Sequence, residues 1–219
     1  MRQVISATFV SLDGVMQAPG GPDEDPTGGF AHGGWTVPYW DDETGQSIDE
    51  AMNQPFDLLL GRKTYDIFAA HWPYSQEQPI ADKFNAATKY VATSSTRPLV
   101  WGKAVALHDP AADVARLKKE DGPDLLIQGS GQLVQTLLAH HLIDRMTLLV
   151  FPLLLGPGKR FFGSGTMPAA LKLTGSKVSK NGVTINTYVR GGKIQTGSFV
   201  PENPSDREIA RREKMKREG

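Results

Sequence analysis

Cysteine is absent from the 219-residue chain. That excludes a disulfide scaffold, a thiolate nucleophile and any Cys-ligated zinc or iron–sulfur centre. Long apolar runs are lacking as well. The longest block, residues 146–155, is interrupted by Thr147 and Pro152, well short of the ~20 residues that span a bilayer. The opening stretch MRQVISATFVSLDGVM has no extended apolar core and no small-residue cleavage signal, so no secretory signal is expected and a cytoplasmic location is the expectation. An excess of one charge is missing: 24 basic side chains face 24 acidic ones. A broad nucleic-acid-binding surface is therefore not expected, nor is a membrane partner. The five histidines, at 32, 71, 108, 140 and 141, show no H-E-x-x-H and no ligand spacing, so no metal is expected. G-x-S-x-G, G-x-x-x-x-G-K-[ST] and a G-x-G-x-x-G after the first strand are also absent. This speaks against a serine hydrolase, a P-loop NTPase and an ordinary dinucleotide fold.

What is there is a succession of short apolar segments punctuated by turns. Gln3 to Leu12 reads as a strand ending at Asp13-Gly14. A Gly/Pro/Asp-rich stretch, residues 18–46, follows, and its Trp35, Tyr39 and Trp40 argue for a structured binding loop or lid. Ser47 to Asn53 is predicted as a short helix capped by Ser47, with Glu50 at capping-box spacing. Strands are predicted at residues 56–60, 89–93, 104–107, 125–128 and 143–151, and helices at 61–70, 79–86, 110–119 and 132–140. Strands apolar on both faces need helices on both sides, which implies a mostly parallel sheet. Leu171 to Ser179, Asn181-Gly182 and Val183 to Arg190 form a hairpin signature. The expected fold is α/β, with a mixed, mostly parallel sheet and a C-terminal antiparallel hairpin. Residues 1–200 are read as one domain. Residues 201–219 are read as a charged tail with 6 basic and 5 acidic side chains, a solvated helix or disorder.

Three loops follow the carboxyl ends of predicted parallel strands: Gly61-Arg62-Lys63-Thr64, Thr93-Ser94-Ser95 and Gly129-Ser130-Gly131-Gln132. That edge is where open α/β sheets bind ligands. Glycines let a phosphate approach the backbone, and the first turn of the following helix offers free N–H groups. The pattern suggests a ligand with several phosphates, with Arg62 as a guanidinium fork and Thr64, Ser94 and Ser95 as hydroxyl donors.

The runs V-S-L-D-G-V at 10–15, L-L-L-G-R-K-T-Y at 58–65, W-P at 72–73, K-Y-V-A-T-S-S at 89–95, L-I-Q-G-S-G-Q-L at 126–133, L-I-D at 142–144 and P-L-L-L-G-P-G-K-R-F-F at 152–162 resemble the dihydrofolate reductase-like superfamily. More narrowly, they resemble the bacterial branch related to the reductase domain of the riboflavin-biosynthesis deaminase–reductase. The resemblance covers about residues 1–190. It implies a three-layer α/β/α fold and NADPH-dependent reduction. It places Gly61, Arg62, Lys63 and Thr64 at the cofactor's phosphates, with Arg62 at the adenosine 2'-phosphate. Thr93, Ser94 and Ser95 would lie on the adenosine side, and Gly129, Ser130, Gly131, Gln132 and Leu133 over the pyrophosphate. Leu12, Gly14, Val15 and Met16 would flank the nicotinamide.

The expected activity is reduction of a small polar heterocycle, of the 5-amino-6-(5-phosphoribosylamino)uracil reductase type. A non-catalytic NADPH-binding protein and dihydrofolate reduction are the alternatives. Asp49, with Glu50 as fallback, is the expected proton source, on a helix expected to face the cleft. The apolar load from Leu148 to Phe162 predicts a homodimer centred on that segment. The alternative is that the aromatic loop folds back over it.

Overall fold

A computed structural model describes residues 1–200 and 203–218; the start of the charged tail at Pro201 lies outside the described residues. One eight-stranded sheet organises the chain. Its strands are β1 (Val4–Ser11), β2 (Phe56–Gly61), β3 (Lys89–Ala92), β4 (Ala104–Leu107), β5 (Asp124–Ile127), β6 (Arg145–Phe151), β7 (Leu171–Val178) and β8 (Thr184–Arg190). Their spatial order is β4-β3-β2-β5-β1-β6-β8-β7. The five pairings from β4 through β6 are parallel, and the two that attach β8 and β7 are antiparallel. The sheet is thus mixed and mostly parallel, with the hairpin at one edge.

The apolar runs are explained by burial on two faces. On β2, Leu58, Leu59 and Leu60 are all fully buried. Leu58 and Leu60 join Ile5, Ala7, Leu126, Leu149 and Phe151 in one core, and Leu59 joins Val4, Val10, Leu125 and Ile127 in the other. Over the first face lie α1 (Asp42–Ala51), α2 (Arg62–His71) and α3 (Ile80–Ala86), contributing Ile48, Tyr65 and Phe84. Over the second lie α4 (Pro110–Leu117) and α5 (Gly131–Ala139), contributing Val114, Leu117, Leu133, Val134 and Leu137. Truncating any of these fully buried leucines to Ala costs about 2–5 kcal/mol. The last helix, α6 (Asp206–Glu218), buries no residue.

Two expectations are corrected. The first helix starts at Asp42, not Ser47, and its cap is Asp41. The Asp41 carboxylate accepts from the Thr44 N–H at 2.9 Å and the Thr44 hydroxyl at 2.6 Å. Ser47 is inside the helix and donates back to the Glu43 carbonyl at 2.9 Å, the local bond that a mid-helix serine favours. β6 begins at Arg145 rather than Ile143, because Asp144 is used to hold β1: its carboxylate accepts from the Val4 N–H at 2.8 Å. The apolar load of residues 148–162 is largely absorbed within one chain. Leu148, Leu149, Phe151, Leu155 and Phe161 are buried, leaving Leu154 and Phe162 exposed.

The aromatic loop supplies part of that cover. Trp35 packs edge-on against Phe151 at 5.3 Å between centroids, Tyr39 against Phe151 at 6.2 Å, and Trp40 against Phe9 at 5.7 Å. Trp35 is fixed further by donating its indole N–H to the Gln17 carbonyl at 2.7 Å. The aromatics therefore serve to dock this loop on β1 and β6.

Candidate functional site at the carboxyl edge of the sheet

β5 is inserted between β2 and β1, so the turns after β2 and β5 meet. The Gly61 N–H donates to the Gly129 carbonyl at 3.0 Å. A Cβ on Gly61 would collide with the Ser130 side chain, and one on Gly129 would lie 2.9 Å from the Thr64 hydroxyl. Gly129 also has φ +134°, a conformation that side-chain-bearing residues rarely adopt. A Cβ on Gly131 would lie 2.7 Å from the Arg160 carbonyl and 3.4 Å from the Met16 sulfur. The glycines are thus required first by close packing of protein against protein. Met16, Gly61, Thr64, Gly129, Ser130 and Gly131 form one cluster.

Two helices open onto this cluster. α2 starts from Gly61 and α5 from Ser130; neither cap makes a side-chain hydrogen bond to its helix, and neither first turn holds an acid. Their leading N–H groups have no intrahelical partner, an arrangement suited to an anion. Beside the α2 terminus, Arg62 donates to Asp66 at 2.9 Å and to the Arg97 carbonyl at 3.0 Å. The Arg97 guanidinium lies 3.9 Å from the second Asp66 oxygen and is largely exposed. Arg97 was not singled out by the sequence reading. It sits two residues past Ser95 in an irregular loop, and only the fold brings it to Arg62.

Thr93 and Ser95 are tied into a turn, the Ser95 N–H donating to the Thr93 hydroxyl at 3.0 Å and the Arg97 N–H to the Ser95 hydroxyl at 3.1 Å. Ser94, Lys63 and Gln132 are exposed. Leu133 and Val15 have their side chains in the core, so only their backbones are available to a ligand.

The segment after β1 is strapped to the loop after β6. The Asp13 carboxylate accepts from the Leu155 and Gly156 N–H groups at 3.1 and 2.8 Å. Its hydrogen bond from the Ser11 hydroxyl, helped by those amides, holds it below the usual carboxylate range. Met16 donates to the Lys159 carbonyl at 2.8 Å, and Phe161 to the Gly14 carbonyl at 2.9 Å. Leu12 remains exposed at the end of the strand.

The expected proton donors are placed differently. α1 turns Thr44, Ser47 and Ile48 inward, which leaves Asp49 and Glu50 on its exposed side. Glu50 is paired with Lys177 of β7 at 3.1 Å. Neither has the buried position facing a cleft that the helix reading gave them. A half-buried carboxylate occurs instead in the long loop. Burial raises the pKa of Glu24 even though its carboxylate accepts from the Gly20 N–H at 2.6 Å. Among the described residues no group of His, Asp and Glu is arranged to hold a metal, and no helix is long and apolar enough to cross a membrane.

Comparison with known proteins finds relatives in sequence and in fold. Two uncharacterized proteins of Bacillus subtilis (strain 168) are similar along nearly their whole length. YyaP is 26% identical over 197 residues, 85% of this chain and 94% of its own. YwjB is 29% identical over 192 residues, 86% of this chain and 98% of its own. Among solved structures, a putative riboflavin biosynthesis protein from Shewanella sp. PV-4 superposes with TM-score 0.57 at 23% identity, covering 86% of this chain and 98% of that one. Dihydrofolate reductase from Enterococcus faecalis, solved with NADP(H), gives 0.55 at 15% identity, covering 86% and 96%. A pyrimidine reductase-like protein from Corynebacterium diphtheriae gives 0.53 at 13%, covering 89% and 93%. These likenesses establish the dihydrofolate reductase-like fold. Residues 2–185 match the RibD C-terminal domain, and the chain belongs to that family.

Proposed function

We propose that this protein is an NADPH-dependent reductase of a small polar heterocycle, of the 5-amino-6-(5-phosphoribosylamino)uracil reductase type. The observation that carries the reading is the pairing of two uncapped, acid-free helix N-termini across the Gly61–Ser130 contact, with two guanidinium groups alongside. One dinucleotide has the phosphates to use both features: a pyrophosphate for the helix termini and a 2'-phosphate for Arg62 and Arg97. When bound, the cofactor supplies the hydride. This chain's residues bind and orient it: the helix N–H groups and the Thr64 and Ser130 hydroxyls at the pyrophosphate, and the Ser94–Arg97 turn on the adenosine side. The backbone of residues 12–16 lies at the nicotinamide end. Family membership and the NADP(H)-bound Enterococcus structure support this reading. In the same reading the protein works on a small molecule as a homodimer in the cytoplasm, and residues 201–219 lie outside the reductase domain.

Cofactor titration tests it. NADPH is expected to bind more tightly than NADH. Arg62→Ala is expected to lose about 1.5–3 kcal/mol of NADPH affinity, the value of a hydrogen bond to a charged group, with little change for NADH. Asp66→Asn, which releases both guanidinium groups, is expected to tighten NADPH binding. Equal NADPH and NADH affinity in the unaltered protein overturns the assignment.

A further inference from the structure

Among the described residues, three buried side-chain polar atoms have no hydrogen-bond partner: Glu43 Oε2, Trp72 Nε1 and Gln128 Nε2. Glu43 is compensated, since its other oxygen is paired with Lys180 at 3.4 Å. Trp72 is enclosed by Phe68, His71 and Phe84 and sits at the far end of α2 from the glycine turns. Gln128 is different, because it is the residue that joins β5 to the Gly129-Ser130 turn.

Its place follows from the ladder. Leu58 pairs with Leu126 and Leu59 with Ile127, and the Gly61 N–H bonds the Gly129 carbonyl. The β2–β5 pairing therefore continues past the end of the strand, with Gln128 level with Leu60. Ile127 faces the α4–α5 core and Leu126 the opposite one, so alternation puts Gln128 on the face that carries α1 and α2. On that face it stands among apolar neighbours in the series Leu58, Leu60, Ala7 and Leu126. A carboxamide in such company is costly unless its N–H groups find a partner. The residue as a whole is only half-buried although Nε2 is enclosed, so the carboxamide has to turn to meet a ligand on this face.

We propose that Gln128 is the specificity-determining residue for substrate, reading a ligand edge on which a carbonyl and an N–H stand side by side. This rests on the reductase reading above and narrows it. A carboxamide offers one donor and one acceptor in a plane, which complements the edge of a lactam or imide. A carboxylate there would offer two acceptors and complement the donor–donor edge of a protonated 2-aminopyrimidine or a guanidinium. The residue therefore selects a neutral oxo-heterocycle and rejects a protonated diamino one. The preference is set by a buried unpaired group, the kind of contact that discriminates strongly between ligands that do and do not satisfy it.

The test uses the full chain saturated with NADPH and two probes, uracil and 2,4-diaminopyrimidine, at a pH low enough to keep the diaminopyrimidine ring protonated, followed by ligand-observed NMR titration. Uracil is expected to bind the unaltered protein at least tenfold more tightly than 2,4-diaminopyrimidine. Gln128→Glu, which keeps the shape, is expected to reverse that order, and Gln128→Met to weaken uracil at least tenfold while NADPH affinity stays the same. A purely structural role would shift thermal unfolding without changing the ratio between the probes. Unchanged uracil binding in Gln128→Met, an unreversed order in a folded Gln128→Glu, or no uracil binding to the unaltered protein overturns the proposal. If NADPH itself fails to bind, the reductase reading falls separately, and the same probe ratios on the free protein still decide the role of Gln128.

Discussion

At the amino-terminal edge of the sheet, Arg2 is buried, ion-paired with Asp57, and donates to the Pro123 carbonyl at 2.5 Å and the Tyr90 hydroxyl at 3.3 Å. Asp57 also accepts from the Thr88 N–H at 3.0 Å. Nearby, Lys118 is paired with Asp144 at 2.5 Å. At the carboxyl edge of the same strands, two helices begin without side-chain caps and Gln128 has an unpaired buried N–H. One edge spends its charged groups on each other; the other leaves donors unspent. Buried charge by itself therefore does not mark the working end of this sheet. The two uncapped helix starts and the unpaired Gln128 donor, gathered at one edge, mark it better, because folding has not found them a partner and a ligand can.

The contrast can be broken most sharply at its closed end. Asp57→Ala strands a buried guanidinium, and a stability loss of about 3–5 kcal/mol is expected by urea unfolding, with cofactor affinity in the surviving folded protein unchanged. A second closed-end test uses pH. Lys89 is fully buried, with its ammonium 4.3 Å from the Trp101 ring centre and 2.7 Å from the Asn85 carbonyl. Burial lowers its pKa from 10.5 to about 8, against the pull of Asp57. Between those values the unfolded chain holds a proton that the folded chain does not, so folding stability gains as pH rises. The stability of the unaltered protein relative to Lys89→Met is expected to climb by on the order of 3 kcal/mol from pH 8 to pH 10.5 and to be flat below pH 7. A flat difference across the whole range would show that Lys89 stays charged when folded.

At the open end, Gly131→Ala places a methyl group 2.7 Å from the Arg160 carbonyl. A stability loss of about 1–3 kcal/mol is expected, together with weaker NADPH binding, since the displaced turn carries the first N–H groups of α5. Loss of NADPH binding with stability unchanged would mean that the glycine serves the ligand alone. The smallest effect is expected for Glu50→Gln. Its exposed pair with Lys177 should contribute under about 1 kcal/mol, and turnover on an identified substrate should be retained. A collapse of turnover would restore Glu50 to the chemistry.

The sheet was readable because both-face burial writes itself as continuous apolar runs, as in Leu58-Leu59-Leu60, and because Asn181-Gly182 is an unambiguous hairpin turn. The start of α1 was not readable. Ser47 and Glu50 have capping-box spacing by coincidence, while the true cap, Asp41, lies in a stretch whose Gly and Pro content reads as loop. The rotation of that helix was hidden too, because two of its inward positions are Thr44 and Ser47 rather than apolar residues. Without an apolar stripe to orient it, nothing revealed that Asp49 and Glu50 turn outward. Three of the loops at the carboxyl edge were found from their glycines, hydroxyls and position after strands. The partners of those glycines, Thr64, Met16 and the Arg160 carbonyl, are set by tertiary approach, as is the convergence of Arg97 on Arg62. Gln128 stood within a quoted motif, but its lack of a partner is a property of packing alone.

The insertion of β5 has a consequence for how the chain is made. β1 emerges first, yet Val4 pairs with Leu125 and Ile5 with Arg145, so both sides of β1 wait for residues synthesised more than a hundred positions later. At ribosomal rates of about 5–20 residues per second, that wait is roughly 6–24 s for the β5 side and roughly 7–28 s for the β6 side. Throughout it, β1 and β2 are exposed apolar strands separated by a slot that nothing yet fills. Such long-range pairing is slow to form and prone to off-pathway association. The cluster of Met16, Gly61, Thr64 and the Gly129–Gly131 turn does not exist in a partly built chain. It forms when β5 pairs between its neighbours, so a release from the ribosome before residue 131 yields a polypeptide with most of the helices and without that cluster.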